Sequence, residues 1–553
     1  MQRSWTLALS EFVDSVVPPS SSWRLNAPWM RGFSRFWGLY LISGLIVAVV
    51  ILPVLYLILR GADAGAEGLN YLMRPRTLTI VSNSLSLVIA VMVSAAAIGV
   101  PFAWLTTRSN LPFRRAWLVV GLLPMVIPSY IGAITFVAVF GPVGAAQQLL
   151  APFGIERLPD IYGFFGAWLC LTLFTYPYFM LPVRAALLNC DPAIEEAAHS
   201  LGLSRWQVFW RVTLPILRPA LMAGAIMTAL YTLSDFGAVM VMRYNAITRA
   251  IYVAYNSSFD RNRAALLALV LVALTVWLIW MEQRLLKKQR LYRTGIGTGR
   301  ALRPVSLGVW MSPALLFMAV VISLGVLVPV GTLITWSLMP QVSSGVDVNL
   351  VELGVNAMSV SGMAALVVGL VALPIALLGA RHSTRLARMI TGLSYLGNVL
   401  PGLVIGLALV FFAANALPTF YQTMPLLILG YAIRFLPYSV TSTRSVLAQM
   451  NPALDDAARS LGLRPREVVR RVTMPLARAG IVGGMAMVFL SAMKELPTTL
   501  LLAPIGFKTL ATRIWTAQES ASLSLIGIPG LLLMAVSCGA LALLLWRDEQ
   551  SQR

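Results

Sequence analysis

Long apolar runs constrain this chain before any motif does. About twelve stretches of roughly 20 or more residues are apolar enough to cross a bilayer, near 38–60, 79–105, 113–140, 161–183, 219–240, 264–282, 309–337, 355–380, 389–415, 423–446, 479–503 and 522–546. Backbone in hydrocarbon has no water to bond, so such runs must be helices. Only 11% of residues are charged, against about 25% in a soluble domain. The expected fold is all-α, a polytopic membrane protein.

The chain repeats itself. "YPYFMLPVRAALLNCDP" aligns with "LPYSVTSTRSVLAQMNP" at an offset of 260, pairing Pro177 with Pro437, Tyr178 with Tyr438 and Arg184 with Arg444. Farther upstream the offset is 273, pairing Asn83 with Asn356, Pro101 with Pro374 and Pro128 with Pro401. A six-span unit has been duplicated. Six is even, so both copies enter the membrane the same way round, as parallel repeats about an axis along the membrane normal. The expected layout is a tail at 1–37, a first half at 38–283, a basic linker at 284–308, a second half at 309–546 and a tail at 547–553.

A net charge of +21 raises nucleic acid as a partner, but its distribution argues otherwise. About thirty of the 42 Lys and Arg fall in every second loop, starting with the N-terminal tail. That positive-inside bias places both termini in the cytoplasm. The run "RLLKKQRLYR" in the linker then reads as a topology signal touching anionic lipid. Cys170, Cys190 and Cys538 are odd in number and imply no disulfide framework. The first 37 residues hold no apolar core with a cleavage site, so span one is the expected insertion signal.

One polar element interrupts the apolar pattern, and it occurs twice: "EEAAHSLGLSRWQVFWRVTLP" and "DDAARSLGLRPREVVRRVTMP". In the first copy Asp191 can cap a helix with Pro192 at its first position. Gly202 suits a left-handed stop, and Ser204 with Gln207 forms a capping box for a second helix. Trp206, Phe209, Trp210 and Thr213 then recur at helical spacing, and Pro215 is expected to end or kink the helix. The second copy repeats this grammar with Asn451, Pro452, Gly462 and Pro475, and its stripe is Val468, Val469 and Val472. A loop needed only to reverse the chain takes about 2–8 residues. From physics alone the element is either a hairpin on lipid headgroups or a docking surface.

Glu196-Ala197-Ala198, three residues, Gly202, then Leu214-Pro215 resembles the EAA loop of permease subunits of ATP-binding-cassette importers. The second copy matches through Ala457-Ala458, Gly462 and Pro475, so the loops span 191–218 and 451–478. The resemblance implies a fused permease of a bacterial inner membrane, with no catalytic residue of its own. It also implies two partners: a cytoplasmic ATPase dimer whose grooves receive the loops, and a periplasmic substrate-binding protein. The motif glutamate falls on Glu196, but the second copy has Asp456, which implies unequal coupling. None of Lys287, Lys288, Lys494 or Lys508 follows a glycine, so no Walker A loop is present. ATP and Mg²⁺ are therefore expected on the partner, and no cofactor on this chain.

Intramembrane acids are candidates for the path itself. Asp235 in "LSDFGAV" and Glu495 in "MKELPTT" hold matched positions near the outer end of the fifth span of each half, and Lys494 is read as snorkelling. The alternative is that each acid bonds a neighbouring helix and fixes packing. Tyr178 and Tyr438, with Tyr176 and Tyr431, offer phenolic oxygens. His199 and His382 are isolated, and no His or Cys cluster suits a tightly bound metal. The segments "SDFGAVMVMRYNAITRAIYVAYNSSFDR" and "KELPTTLLLAPIGFKTLATRIW" look most like fused ferric-iron permeases, and hard cations prefer oxygen ligands. Thiamine and polyamine permeases share the layout and stay open as alternatives. Arg243, Arg249, Arg261 and Arg263 on the outer side suit acidic patches of a binding protein better than a bare cation. An ion-coupled secondary transporter is the rival class, though it needs no pair of long cytoplasmic loops.

Overall fold

The computed structural model describes residues 37–154, 157–190, 192–256, 260–286, 304–339, 349–451 and 453–552. The tail before Trp37, most of the basic linker, and the capping positions Asp191 and Pro452 lie outside the described residues.

The fold is all-α. Span 1 is Trp37–Asp63 and span 2 is Pro75–Arg108. Span 3 comes as Arg114–Leu122 and Ser129–Phe140, and span 4 as Phe164–Thr175 and Pro177–Asn189. Span 5 is Leu214–Ser234 and span 6 is Arg261–Leu286. The second half follows suit. Span 7 is Met311–Ile322 with Val328–Leu338, and span 8 is Leu350–Arg381. Span 9 is Arg385–Val399 with Gly402–Ala416, and span 10 is Met424–Gln449. Span 11 is Met474–Met493 and span 12 is Ser524–Gln552.

By length and composition, ten helices among the described residues can cross a bilayer, and eleven if the pair in span 9 counts as one. That pair is bent by 102°. Span 3 breaks at the matching place. Pro128 and Pro401 both hold extended backbone, with ψ near 138° and 143°, at the start of the following helix. A proline ring disfavours helical geometry in the residue before it, and the missing N–H removes one ladder bond.

Duplication is visible in the packing. Spans 2, 4 and 5 pack on one another in the first half, and spans 8, 10 and 11 do so in the second. The contact of span 5 on span 4 depends on a glycine at the same place in each copy. A Cβ on Gly224 would lie 2.9 Å from Phe179 Cα, and one on Gly484 would lie 2.8 Å from Ser439 Cα. Small residues let membrane helices approach this closely.

The halves are also interlocked. Span 1 packs on span 6 of its own half but also on spans 8 and 9 of the other. Tyr40 bonds Thr384 at 2.9 Å, and Asn415 donates to the Tyr56 hydroxyl at 3.1 Å. Span 7 likewise packs on span 12 and on the outer piece of span 3. The end of the linker is tied down as well: Val305 N–H donates to the Arg108 carbonyl at 2.7 Å and Leu307 N–H to Asn110 Oδ1 at 3.0 Å.

Candidate coupling loops and translocation path

Each polar element folds as a short helix, a left-handed glycine and a second helix. The first helices are Pro192–Ser200 and Ala453–Ser460. They stop at Gly202 (φ 84°) and Gly462 (φ 87°). The bonds around the two stops coincide. Gly202 N–H donates to His199 O at 2.9 Å and Leu203 N–H to Ala198 O at 3.2 Å; Gly462 and Leu463 do the same to Arg459 and Ala458 at 2.9 and 3.2 Å. This is a Schellman stop. The expected capping box forms, with Ser204 N–H donating to Gln207 Oε1 at 2.9 Å and Gln207 N–H to Ser204 Oγ at 3.3 Å. In the second copy Glu467 caps alone, accepting from Arg464 N–H at 2.8 Å.

Pro215 neither ends the second helix nor separates it from the membrane. Residues Phe209–Thr213 form a π turn that runs straight into span 5, and Val469–Thr473 do the same into span 11. In each turn an N–H just before the proline reaches back five residues, from Leu214 to Phe209 O and from Met474 to Val469 O. The proline has no N–H and its ring crowds the carbonyl four residues back, so the wider turn is the one that fits. The loop's second helix is therefore a rigid extension of the fifth span of its half.

The side chains divide by face. Ala198 and Ala458 are buried, whereas Glu196, Ala197, Asp456 and Ala457 are exposed. Asp456 meets Arg459 at 3.7 Å. Val208 and Thr213 face inward, while Trp206 and Trp210 are exposed and cluster with Phe209. Their stripe is thus split between the two sides. The second copy shows Arg470 and Arg471 where the first shows Trp210 and Arg211.

An inward node was not legible in either loop alone. Glu195 lies 3.6 Å from the Arg108 guanidinium and accepts from Thr213 Oγ1 at 3.1 Å. Asp455 lies 3.0 Å from Arg381 and accepts from Thr473 Oγ1 at 3.2 Å. The arginines also reach the end of the fourth span of each half, Arg108 to Leu187 O at 3.2 Å and Arg381 to Met450 O at 3.4 Å. Each node ties the loop helix to the ends of three spans. The signal was available, because Arg108 and Arg381 are related by the same offset of 273 as Asn83 and Asn356.

Asp235 and Glu495 sit at the break that ends the fifth span of each half, both 7% exposed. Asp235 accepts from Ser129 Oγ and from the N–H groups of Ala238 (2.9 Å) and Val239 (3.4 Å), capping the short helix Gly237–Val241. Ser129 opens the outer piece of span 3, so two helix breaks are joined there. Glu495 does the equivalent. Its Oε1 accepts from Thr498 N–H at 3.2 Å and from the Thr498 hydroxyl at 2.7 Å. That hydroxyl also touches Gly402 O, at the break of span 9. Glu495 additionally pairs with Arg434 at 3.2 Å, a residue replaced by Phe174 in the first half. Lys494 does not snorkel: its Nζ donates to Met125 O at 3.4 Å, inside the break of span 3, so it bridges the halves.

The Tyr178 and Tyr231 rings are tilted at 41° with centroids 5.6 Å apart, and Tyr438 stacks on Phe435 at 6.0 Å. Tyr438 keeps 38% of its surface open. Tyr176 and Tyr431 are committed elsewhere, to Gly121 O at 2.7 Å and to Thr499 Oγ1 at 2.6 Å. Among the described residues no three His, Cys, Asp or Glu converge as a metal site.

A family model described as binding-protein-dependent transport system inner membrane component matches residues 95–290 and again 372–546. The chain belongs to that family. Each match contains one complete polar element, so these are the loops of a fused importer permease with two permease units in one chain. Among similar proteins, the Fe(3+)-transport system permease protein FbpB 2 of Haemophilus influenzae is 33% identical over 88% of this chain and 93% of its own length. The ferric transport system permease protein FbpB of Actinobacillus pleuropneumoniae is 26% identical over 81% of this chain and 67% of its own. The sulfate transport system permease protein CysT of Escherichia coli is 26% identical over 42% of this chain and 85% of its own length.

Proposed function

We propose that this permease carries ferric iron, delivered by a periplasmic binding protein, inward across a bacterial inner membrane with both termini in the cytoplasm. Two copies of a separate ATPase drive it, one docked on each polar element. The observation that carries the iron reading is the likeness to the Fe(3+) permease across nearly the whole of both chains. The phenol oxygens of Tyr178 and Tyr438 agree with it as oxygen chemistry for a hard cation.

The docking reading rests on faces. Glu196-Ala197 and Asp456-Ala457 point outward on helices whose inner faces are fixed by the arginine nodes. Closure of the ATPase pair moves both loops, and because each loop's second helix continues into span 5 or 11, the movement arrives at Asp235 and Glu495. Those carboxylates hold the helix breaks together, so their role is to open or close the path rather than to wait unbonded for cargo. ATP and Mg²⁺ stay on the partner.

The test is uptake of labelled Fe³⁺, thiamine and a polyamine into proteoliposomes holding permease, ATPase and binding protein. ATP-dependent uptake of Fe³⁺ alone is expected. Uptake of thiamine or a polyamine instead would replace the cargo. Uptake that persists without ATP under an ion gradient would overturn the whole reading.

A further inference from the structure

On the face opposite the coupling loops, a pocket of about 320 Å³ opens beside the start of span 2 and the start of span 6. Its polar lining includes Tyr71, Arg74, Arg76, Asn245, Arg249 and Arg263. All four charged groups are cations. Arg263 is balanced by Asp260 at 2.8 Å. No carboxylate in the described residues pairs with Arg74, Arg76 or Arg249. The Nε of Arg249 is shut off from solvent and bonds nothing. Arg74 and Arg263 both lean on the Tyr71 ring, at 5.9 and 5.3 Å, so the ring holds two like charges near one cavity. Guanidinium groups gathered without counter-charge repel one another and lose hydration at the recessed atoms. Such an arrangement is stabilised by an anion.

The second half differs at three of the matching places. The outer helix Ile247–Asn256 corresponds to Leu510–Glu519, and the starts of spans 2 and 6 correspond to those of spans 8 and 12. At the places of Arg76, Arg249 and Arg263 the second half has Asn349, Thr512 and Ile526. Asn349 caps span 8, and Thr512 completes a capping box with Thr509. At two of these positions the second half caps a helix, and at the third it buries an isoleucine, where the first half carries guanidinium groups; Arg513, one residue beyond Thr512, has a buried Nε with no hydrogen-bond partner as Arg249 does. The arginine nodes of the coupling loops, by contrast, are present in both halves.

We infer that this pocket binds an oxyanion, either a small free anion such as phosphate or sulfate or the phosphate of an anionic lipid headgroup. Planar guanidinium forks fit two oxygens at once, and Asn245 adds a neutral amide beside them. The pocket is a recess, with its Arg249 nitrogen out of reach of a flat protein surface. Arg243 and Arg261 lie outside the lining; Arg243 stacks on Tyr162 at 4.8 Å. The outer arginines thus separate into a surface pair, free to meet a docking protein, and a recessed set built around an anion.

Calorimetric titration of the purified full chain in zwitterionic nanodiscs, with phosphate or sulfate at fixed chloride ionic strength, tests this directly. A second arm measures retention of phosphatidylglycerol by native mass spectrometry and its competition with phosphate. The wild-type chain binds at least one of the three probes. Arg249→Gln weakens that binding by about tenfold, the loss of one charge-assisted hydrogen bond, whereas Arg243→Gln leaves it unchanged. Binding in zwitterionic discs identifies a free anion as the ligand, and retention of phosphatidylglycerol that phosphate displaces identifies a headgroup. If Arg249→Gln fails to fold, the exposed Arg76→Gln provides the same reading. Absence of all binding in the wild-type chain, or equal weakening by Arg249→Gln and Arg243→Gln, overturns the inference. Neither result bears on the transport reading, because no transport is measured.

Discussion

Glu195 and Glu196 are neighbours with opposite duties. A helix turns about 100° per residue, so one carboxylate of an adjacent pair faces the bundle when the other faces solvent. Glu196 carries the motif likeness, but it is Glu195 that reaches Arg108 and Thr213. Arg108 is buried to 7% exposure and also holds the Leu187 carbonyl. Removing its charge leaves the half-buried Glu195 without its cation and costs less than the roughly 3–5 kcal/mol of a fully buried pair, about 1–3 kcal/mol. Arg108→Met should therefore lower the melting temperature and cut uptake by at least about tenfold, while the ATPase still copurifies through the untouched outer face. Glu196→Ala should do the reverse, losing the ATPase with melting unchanged. Identical phenotypes for the two variants would show that the faces are not separate. Gly202 is a second residue-scale case. Nothing lies within 4 Å of a Cβ built on it, so the constraint is its positive φ alone, worth roughly 1–2 kcal/mol against an ordinary side chain. Asparagine tolerates that conformation and valine does not, so Gly202→Asn should retain more uptake per ATP than Gly202→Val. Equal activity would remove the turn from the mechanism.

At the scale of elements, legibility followed how local the cause was. The glycine stops and the Ser204–Gln207 box depend on residues a few positions apart and are where capping chemistry places them; of about twelve expected spans, ten to eleven among the described residues are long and apolar enough to cross, and Ser524–Gly539 is a shorter apolar helix. The break in span 3 was hidden because apolar residues continue through Leu123, Pro124 and Met125, and hydropathy does not register a bend. The Pro128 and Pro401 match was the available clue. The pairing of Arg434 with Glu495 and the reach of Lys494 to Met125 depend on how spans 3, 9, 10 and 11 meet, which no single stretch encodes. Pro215 was expected to end or kink the helix, and it does not end it: proline usually interrupts a helix, but here a π turn carries the chain through. That turn sets the angle at which the loop is fixed to span 5. Pro215→Ala restores an N–H and permits an α turn, rotating the loop's outer face relative to the span. The expected result is ATP hydrolysis that continues with uptake per ATP reduced several-fold, measured in proteoliposomes, and Pro475→Ala should act likewise. Unchanged stoichiometry in both variants would mean the turn tolerates either geometry.

The whole molecule is two permease units that hold each other. The sulfate permease CysT aligns with only 42% of this chain yet over 85% of its own length, so one half here corresponds to most of a separate protein there. The interlock explains how halves could assemble without a covalent join. Span 1 lies on spans 8 and 9, span 7 lies on span 3, and the hydrogen bonds from Tyr40 and Asn415 cross between them. The linker contributes chiefly by keeping the halves close, and loop closure changes only slowly with length, by about 0.6 kcal/mol per doubling. What must survive a cut is the short pairing of Val305 with Arg108 and Asn110, because it fastens the linker's end beside a coupling node. Coexpression of residues 1–292 and 293–553 as separate chains should therefore give a complex that copurifies and supports uptake within a few-fold of the intact protein. Coexpression of 64–292 with 293–553, which lacks span 1, should lose copurification of the halves, since the contacts that cross onto spans 8 and 9 are gone. If the shortened first half still captured the second, the packing of span 1 would be incidental, and the contact of span 7 with span 3 and the reach of Lys494 to Met125 would be enough to hold the units together.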